Sequence, residues 1–205
     1  MTHPKHDNIT LDQKVMLRQT ALRLLGGEPP VILETHGGHG DVWSSLYHPF
    51  DGGVVFEKDH DRSVELASQR PTWAVYEADV ELALPAGAAR HLAFNYVDVD
   101  PWGSCWETLA GFFSSARPLA GRMVLVVNDG LRHNLRGGKG WQTGASEGIV
   151  RKYGNHNAFR LYPDVVEEML ASTVAGVYRI THFESYATGH EKKMVHFLAV
   201  LERDA

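Results

Sequence analysis

Asp98, Asp100, Pro101 and Trp102 stand together in the stretch Phe94-Asn95-Tyr96-Val97-Asp98-Val99-Asp100-Pro101-Trp102-Gly103. Their types and spacing carry chemistry. A carboxylate accepts hydrogen bonds and steadies nearby positive charge, and an indole offers a flat apolar face. Pro101 removes a backbone donor and disfavours the helical region for Asp100, so an apolar strand must end here with its polar groups turned outward. An acid and an aromatic are thereby delivered to the rim of a sheet. In open α/β sheets, ligands bind at that rim, beyond the carboxyl ends of the strands.

A rim of this kind needs a sheet behind it, and the rest of the chain is patterned to supply one. Thr10 to Leu25 carries Leu11, Val15, Leu22 and Leu25 at helical spacing, with Thr10 and Gln13 as a capping box. Gly26-Gly27-Glu28-Pro29-Pro30 stops that helix, and Val31-Ile32-Leu33 suits a buried parallel strand. The strand runs out into Glu34-Thr35-His36-Gly37-Gly38-His39-Gly40-Asp41, a glycine turn that lets the backbone approach a ligand, and then into a helical Val42–Tyr47. Gly53–Phe56 is a second strand ending in Glu57, placed where a carboxylate can accept bonds from a ribose. A helix with Val64, Leu66 and Ala67 follows, entered through Asp59 and Asp61. Trp73–Tyr76 makes a third strand ending in Glu77-Ala78-Asp79, and Met123–Val127 a fifth ending in Asn128-Asp129-Gly130. Strands alternate with helices, and nearly every strand stops at a polar or acidic group. That implies a parallel sheet with one functional edge.

Beyond Gly130 the character changes. Leu131 to Leu161 is rich in Gly, Asn and His, carries Arg132, Arg136, Lys139, Arg151, Lys152 and Arg160, and has Glu147 as its acid. It reads as a long basic loop, following a strand's carboxyl end and able to lie over the site. Pro163 to Ala171 reads as a helix with proline at its start. Val177–Phe183 and Met194–Leu201 are strands joined by a short polar connection, which makes them antiparallel.

At 205 residues, 43% hydrophobic and 22% charged, the chain fits one large α/β domain. We divide it into an N-terminal helical extension, residues 1–30, and a main domain, residues 31–205, with 131–161 as a basic insertion or lid. The net charge of −5 gives no global basic field, so any contact with nucleic acid must be local. Cys105, the single cysteine, excludes an internal disulfide and any multi-thiolate zinc site within one chain, and reads as a small helix-packing residue. No apolar run approaches the length of a spanning helix, and the first residues lack a signal-peptide core. A cytoplasmic protein is expected. His36, His39 and Asp41 form the densest group of metal-ligand types, but no H-E-x-x-H spacing appears, so no metal is expected. No G-x-S-x-G follows a predicted strand, so there is no nucleophile elbow either.

Two kinds of protein combine a glycine-rich first turn with an acid ending the second strand. A dinucleotide fingerprint begun at Gly38 and Gly40 needs glycine at position 43, where the chain has Trp43. From about Val31 onward the chain instead resembles the class I S-adenosylmethionine-dependent methyltransferases, with His36 standing where the family usually has glycine. The resemblance implies a Rossmann-like, doubly wound, mostly parallel seven-stranded sheet closing on an antiparallel pair. It implies S-adenosylmethionine as cofactor, with Glu34 and the backbone of His36, Gly38 and Gly40 at its methionine part. Glu57 would hold the ribose, Asp79 the adenine amine, and Val80 would lie against the ring. Asp98-Val99-Asp100-Pro101-Trp102-Gly103-Ser104 is similar to the D-x-D-P-F-G-S motif of tRNA guanine-N2 dimethyltransferases. More broadly, Asp-Pro-aromatic resembles the amino-methylating enzymes of DNA and RNA.

That resemblance implies methyl transfer to an exocyclic amine, with a nucleobase in RNA or DNA as first choice. Asp100 and carbonyls near Pro101 would accept the amine's N–H groups and localise its lone pair. Trp102 would stack an unstacked base. Arg132, Arg136 and Lys139 would follow a phosphate backbone, with Trp141, Tyr153 and Phe159 available for stacking. Plainer roles stand beside these: Trp102 packing beneath the sheet edge, Asp98 capping the next helix, and the basic segment as a solvated loop. The rival functions are a small-molecule methyltransferase of the same fold and a cofactor-binding module that does no chemistry.

Overall fold

A computed structural model describes residues 10–136, 144–189 and 192–204. Helix α1 (Leu11–Leu24) leads into β1 (Ile32–Glu34), a glycine turn and one π-helical turn at Trp43–Tyr47. Then come β2 (Val54–Glu57), α2 (His60–Gln69), β3 (Ala74–Glu77), α3 (Val80–Ala83), β4 (Tyr96–Val99), α4 (Trp106–Ser114) and β5 (Arg122–Asp129). Three helices, α5 (Leu131–Arg136), α6 (Gly144–Tyr153) and α7 (Asn155–Val174), precede β6 (Tyr178–Thr188) and β7 (Met194–Arg203).

The seven strands form one sheet in the order β3-β2-β1-β4-β5-β7-β6. β1 to β5 run parallel, and β7 lies antiparallel between β5 and β6. This is the doubly wound sheet and antiparallel ending expected from the alternation of elements. The order reverses between β1 and β4, which makes their carboxyl ends the switch point. β6 forms one edge, and its register shifts between Ile180 and His182.

Strand alternation divides the core in two. Leu33, Val97, Val99, Leu125 and Val127 pack with α4 and α7 on one face. Ile32, Val55, Tyr96, Val124 and Val126 pack on the other with Leu17, Ala21 and Leu25, in and just after α1. The helix expected as an extension ahead of the sheet is thus one of its covering layers. Its buried stripe also differs from the apolar residues that predict it, because it includes Arg18, which is wholly buried. The Thr10–Gln13 capping box does not form: Thr10 makes no side-chain cap, and the Gln13 amide oxygen accepts from Thr188 on β6.

Arg18 is buried because β4 presents an acid to it. Its Nε and Nη2 donate to the two oxygens of Asp98 at 2.6 and 2.5 Å, and the Tyr47 hydroxyl donates to Asp98 at 2.7 Å. Burial opposes the guanidinium charge, but Asp98, with Asp100 behind it, holds the pKa of Arg18 above its usual value.

The segment expected as a long loop is largely helical. Gly154, at φ +72, separates α6 from α7 and lets the chain turn sharply between them. Pro163 lies inside α7 rather than at its start. Proline leaves the carbonyl four residues earlier without its helical donor. That carbonyl belongs to Phe159, and Arg132 Nε fills the vacancy at 3.2 Å. β5 also runs further than its apolar stretch, through Asn128 and Asp129, because both pair with β7.

Arg18→Met strands a buried carboxylate and should lower unfolding free energy by about 3–5 kcal/mol, read from urea denaturation. Adding Asp98→Asn should recover part of that loss.

Candidate active site at the strand tips

The carboxyl ends of β1 to β4 bring most of the expected residues to one rim. The turn after β1 is anchored from below. Thr35 N donates to the Asp98 carbonyl at 2.9 Å, and Gly37 N donates to the Phe56 carbonyl at 2.9 Å. A Cβ on Gly37 would stand 2.5 Å from Leu66 and 2.8 Å from Val55, so close packing on α2 demands glycine there. Gly38 and Gly40 take left-handed φ of +53 and +78, with open space beside Gly38. His36 does not adopt a positive φ, so the chain's departure from glycine at this position costs no backbone strain.

Glu57 closes the turn. Its Oε2 accepts from Gly38 N at 2.8 Å and its Oε1 from Asp59 N at 2.9 Å. Each oxygen keeps a lone pair for a further donor. Asp79 caps α3 by accepting from Glu81 N at 3.0 Å through Oδ1, and Val80 behind it is buried. Glu34 points beneath the turn, where its carboxylate is bonded to Arg70, whose guanidinium lies 5.1 and 5.3 Å from the Trp43 and Trp73 rings. Burial outweighs Arg70 and raises the Glu34 pKa to about 7.

At the end of β4 the two acids differ. Asp98, expected either to touch substrate or to cap a helix, does neither: it is 1% exposed and committed to Arg18 and Tyr47. At the entry to α4 it is Ser104 Oγ that accepts from Trp106 N, at 3.2 Å. Asp100 retains 17% side-chain exposure and receives Lys14 Nζ on both oxygens, at 2.9 and 2.8 Å. Burial works against its charge, but Lys14 and Arg18 prevail and lower its pKa to about 2. Pro101 is buried, while Trp102 is wholly exposed at 104%, which removes the reading that packs it under the sheet. Gly130 N donates to the Gly103 carbonyl at 2.7 Å, joining the turns that follow β4 and β5.

Lys14, Arg18, Tyr47, Asn128 and His196 escaped the sequence reading. Asn128 and His196 pair across β5 and β7, both wholly buried, with no hydrogen bond to either His196 nitrogen among the described residues. Burial first, and Arg18 second, push the His196 pKa down to about 3.

The basic segment is brought together less well. Arg132 is committed internally: besides Phe159 it donates to the Lys192 carbonyl, and its guanidinium stacks 4.5 Å from the Phe159 ring. This corrects its expected role at a phosphate and covers one of the expected stacking rings. Arg136 ends α5, and Lys139 and Trp141 lie outside the described residues. Lys152 is paired with Glu168 at 2.7 Å, and Arg151 and Arg160 are exposed. Clefts of 490 Å³, lined by Asp164, Glu167 and Arg179, and 340 Å³, between α6 and α7, lie away from the strand tips. Among the described residues no group of three or more His, Cys, Asp or Glu side chains is arranged to hold a metal ion, and no helix is long and apolar enough to cross a membrane.

No family model and no curated protein matches the chain. Solved structures do. Trm1 from Pyrococcus horikoshii, solved with S-adenosyl-L-methionine, superposes over 100% of this chain with a TM-score of 0.67 at 17% identity. The chain spans 60% of that protein's length. The N-methyltransferase NodS from Bradyrhizobium japonicum matches over 98% of this chain and 100% of its own, with a TM-score of 0.58 at 10% identity. The plantazolicin methyltransferase BpumL, solved with S-adenosylhomocysteine and a pentazolic desmethylPZN analog, covers 98% of this chain and 87% of its own, with a TM-score of 0.61 at 8% identity. The chain shares the fold of these solved methyltransferases.

His196 generates a pH test. Its folded pKa of about 3 lies below the ordinary 6.5, so its contribution to stability is complete above pH 6.5 and is lost as pH falls toward 3. His196→Leu should remove this part of the acid destabilisation, measured by urea titration at a series of pH values.

Proposed function

We propose that this chain binds S-adenosylmethionine and methylates an exocyclic amine, first of all that of a nucleobase in RNA or DNA with RNA favoured, in the cytoplasm. The observation that carries the reading is Trp102, a wholly exposed indole one proline away from the ionised Asp100. A tryptophan with no packing role, beside an acceptor on a binding rim, is arranged to meet a flat polar ring.

The residues around the glycine turn fit the cofactor. Gly38 has open space above a left-handed backbone, Glu57 keeps lone pairs for ribose hydroxyls, and Asp79 keeps Oδ2 for an adenine amine with Val80 alongside. Glu34 supports the turn from beneath through Arg70. When bound, the cofactor supplies an electrophilic methyl group on a sulfonium. The chain's own work is alignment and charge. Asp100 and the Pro101 carbonyl accept the N–H groups of the amine, which draws its lone pair out of the ring and accommodates the positive charge that develops. Lys14 uses one lone pair of each Asp100 oxygen and Arg18 Nη2 reaches Oδ2 at 3.5 Å, which leaves Oδ1 the freer acceptor. Asp98 acts from behind, as the group that fixes Arg18. Arg136, Lys139 and Trp141, with the exposed Arg151 and Arg160, are proposed to contact phosphates and bases.

A second reading, a small amine as substrate, draws on the modest basic surface, since Lys152 is already neutralised by Glu168. Salt separates the two, because phosphate contacts make affinity fall steeply as salt rises.

Calorimetry with S-adenosylmethionine should show Glu57→Ala weakening binding by about 10- to 100-fold, the worth of hydrogen bonds to a charged group. Asp100→Asn should leave that binding intact and lower transfer of radiolabelled methyl to bulk tRNA by about 10²- to 10³-fold. Intact transfer in Asp100→Asn would displace the reacting centre from β4.

A further inference from the structure

His36 stands at the switch point of the sheet. The register pairs Glu34 with Asp98, and the ladder continues through Thr35 N to the Asp98 carbonyl. Past these strand ends, Asp100 is the acid that acts most strongly on the His36 ring. Its Nδ1 lies 2.8 Å from Thr35 Oγ1, and that hydroxyl donates its one proton to the Asp98 carbonyl at 3.1 Å. Both contacts are hydrogen bonds only if Nδ1 carries a hydrogen and Thr35 accepts it. Nε2 is then left with its lone pair.

Four acids act on this ring: Asp100 just after β4, Glu57 at the end of β2, Asp98 on β4, and Asp79 ahead of α3. Lys14 and Arg18 of α1 lie beyond, on the far side of Asp98 and Asp100. Burial is the largest influence on the ring and holds its pKa below the ordinary histidine value despite these acids. At neutral pH it is an uncharged base surrounded by carboxylates that would stabilise it once protonated. The left-handed positions of the turn fall on Gly38 and Gly40, so position 36 keeps a backbone that a side chain tolerates.

We infer that Nε2 of His36 is the base that receives the proton shed by the substrate nitrogen, an inference that rests on the function proposed above. The nitrogen's lone pair forms the new N–C bond as the methyl's S–C bond breaks and its electron pair stays on sulfur. One N–H bond of the methylated nitrogen then breaks, its electrons returning to nitrogen and its proton passing to Nε2. The imidazolium, favoured by the charges of Asp100 and Glu57 on a residue only partly buried, then releases that proton to water.

Two measurements test this. In protein carrying ¹⁵N-histidine, without cofactor, the His36 signals are found by difference against His36→Gln. At pH 7 they should report a neutral ring with hydrogen on Nδ1. A charged ring, or hydrogen on Nε2, overturns the inference. In single-turnover transfer from S-adenosylmethionine to bulk tRNA, His36→Gln should be slower by about 10²-fold and lose the acid limb of the pH profile. Calorimetric binding of S-adenosylhomocysteine should be unchanged. Equal rates, or lost binding in the variant, overturn the inference and leave the proposed function standing. If the unaltered chain binds S-adenosylmethionine but transfers methyl to neither tRNA, DNA nor small amines, the proposed function fails and takes this step with it.

Discussion

The ion pair between Arg18 and Asp98 is the constraint on which the site depends. Both partners are buried, and Asp98 sits two residues before Asp100, which follows β4 directly and is also reached by Arg18. Burying two charges is costly, and this pair meets the cost with two short bonds and a tyrosine hydroxyl. It locks α1 across the carboxyl end of β4. That lock sets Lys14, one helical turn earlier, directly over Asp100. The acid proposed to meet the substrate is thus held in place from the opposite end of the sequence.

A second connection ties the cofactor side of the rim to the same frame. Glu57 accepts from Gly38, and Thr35 bonds to the Asp98 carbonyl, so the turn after β1 is gripped by β2 on one side and β4 on the other. Glu34 and Arg70 brace it from beneath, between two tryptophans. His36 lies at the middle of this grip. Its position follows from backbone pairing on both flanks rather than from the conformational freedom of a loop.

Much of this was legible. Strand ends announced themselves through acids and glycines, and the alternation of elements implied the parallel order and the antiparallel close. The burial of Arg18 was not legible, because apolar periodicity passes over a buried charge. One signal was present: acids two apart on a strand are separated by about 6.6 Å on one face, and cations four apart on a helix by about 6 Å. Asp98 and Asp100 therefore match Arg18 and Lys14 in spacing. The helices after Gly130 were missed because their glycines and Pro163 read as breakers. An arginine at the freed Phe159 carbonyl, 27 residues away in sequence, lets a helix continue through its proline.

The outer margin of the sheet carries a different consequence. β6 is eleven residues long with one side unpaired, the sort of border onto which another chain can zip. Its shift of register at Thr181 interrupts the regular spacing of free amides and carbonyls, and Arg179, His182 and Glu184 crowd the same stretch with ionisable groups. A neighbouring molecule therefore meets a kinked, charged selvedge instead of a straight template, which hinders edge-to-edge strand addition.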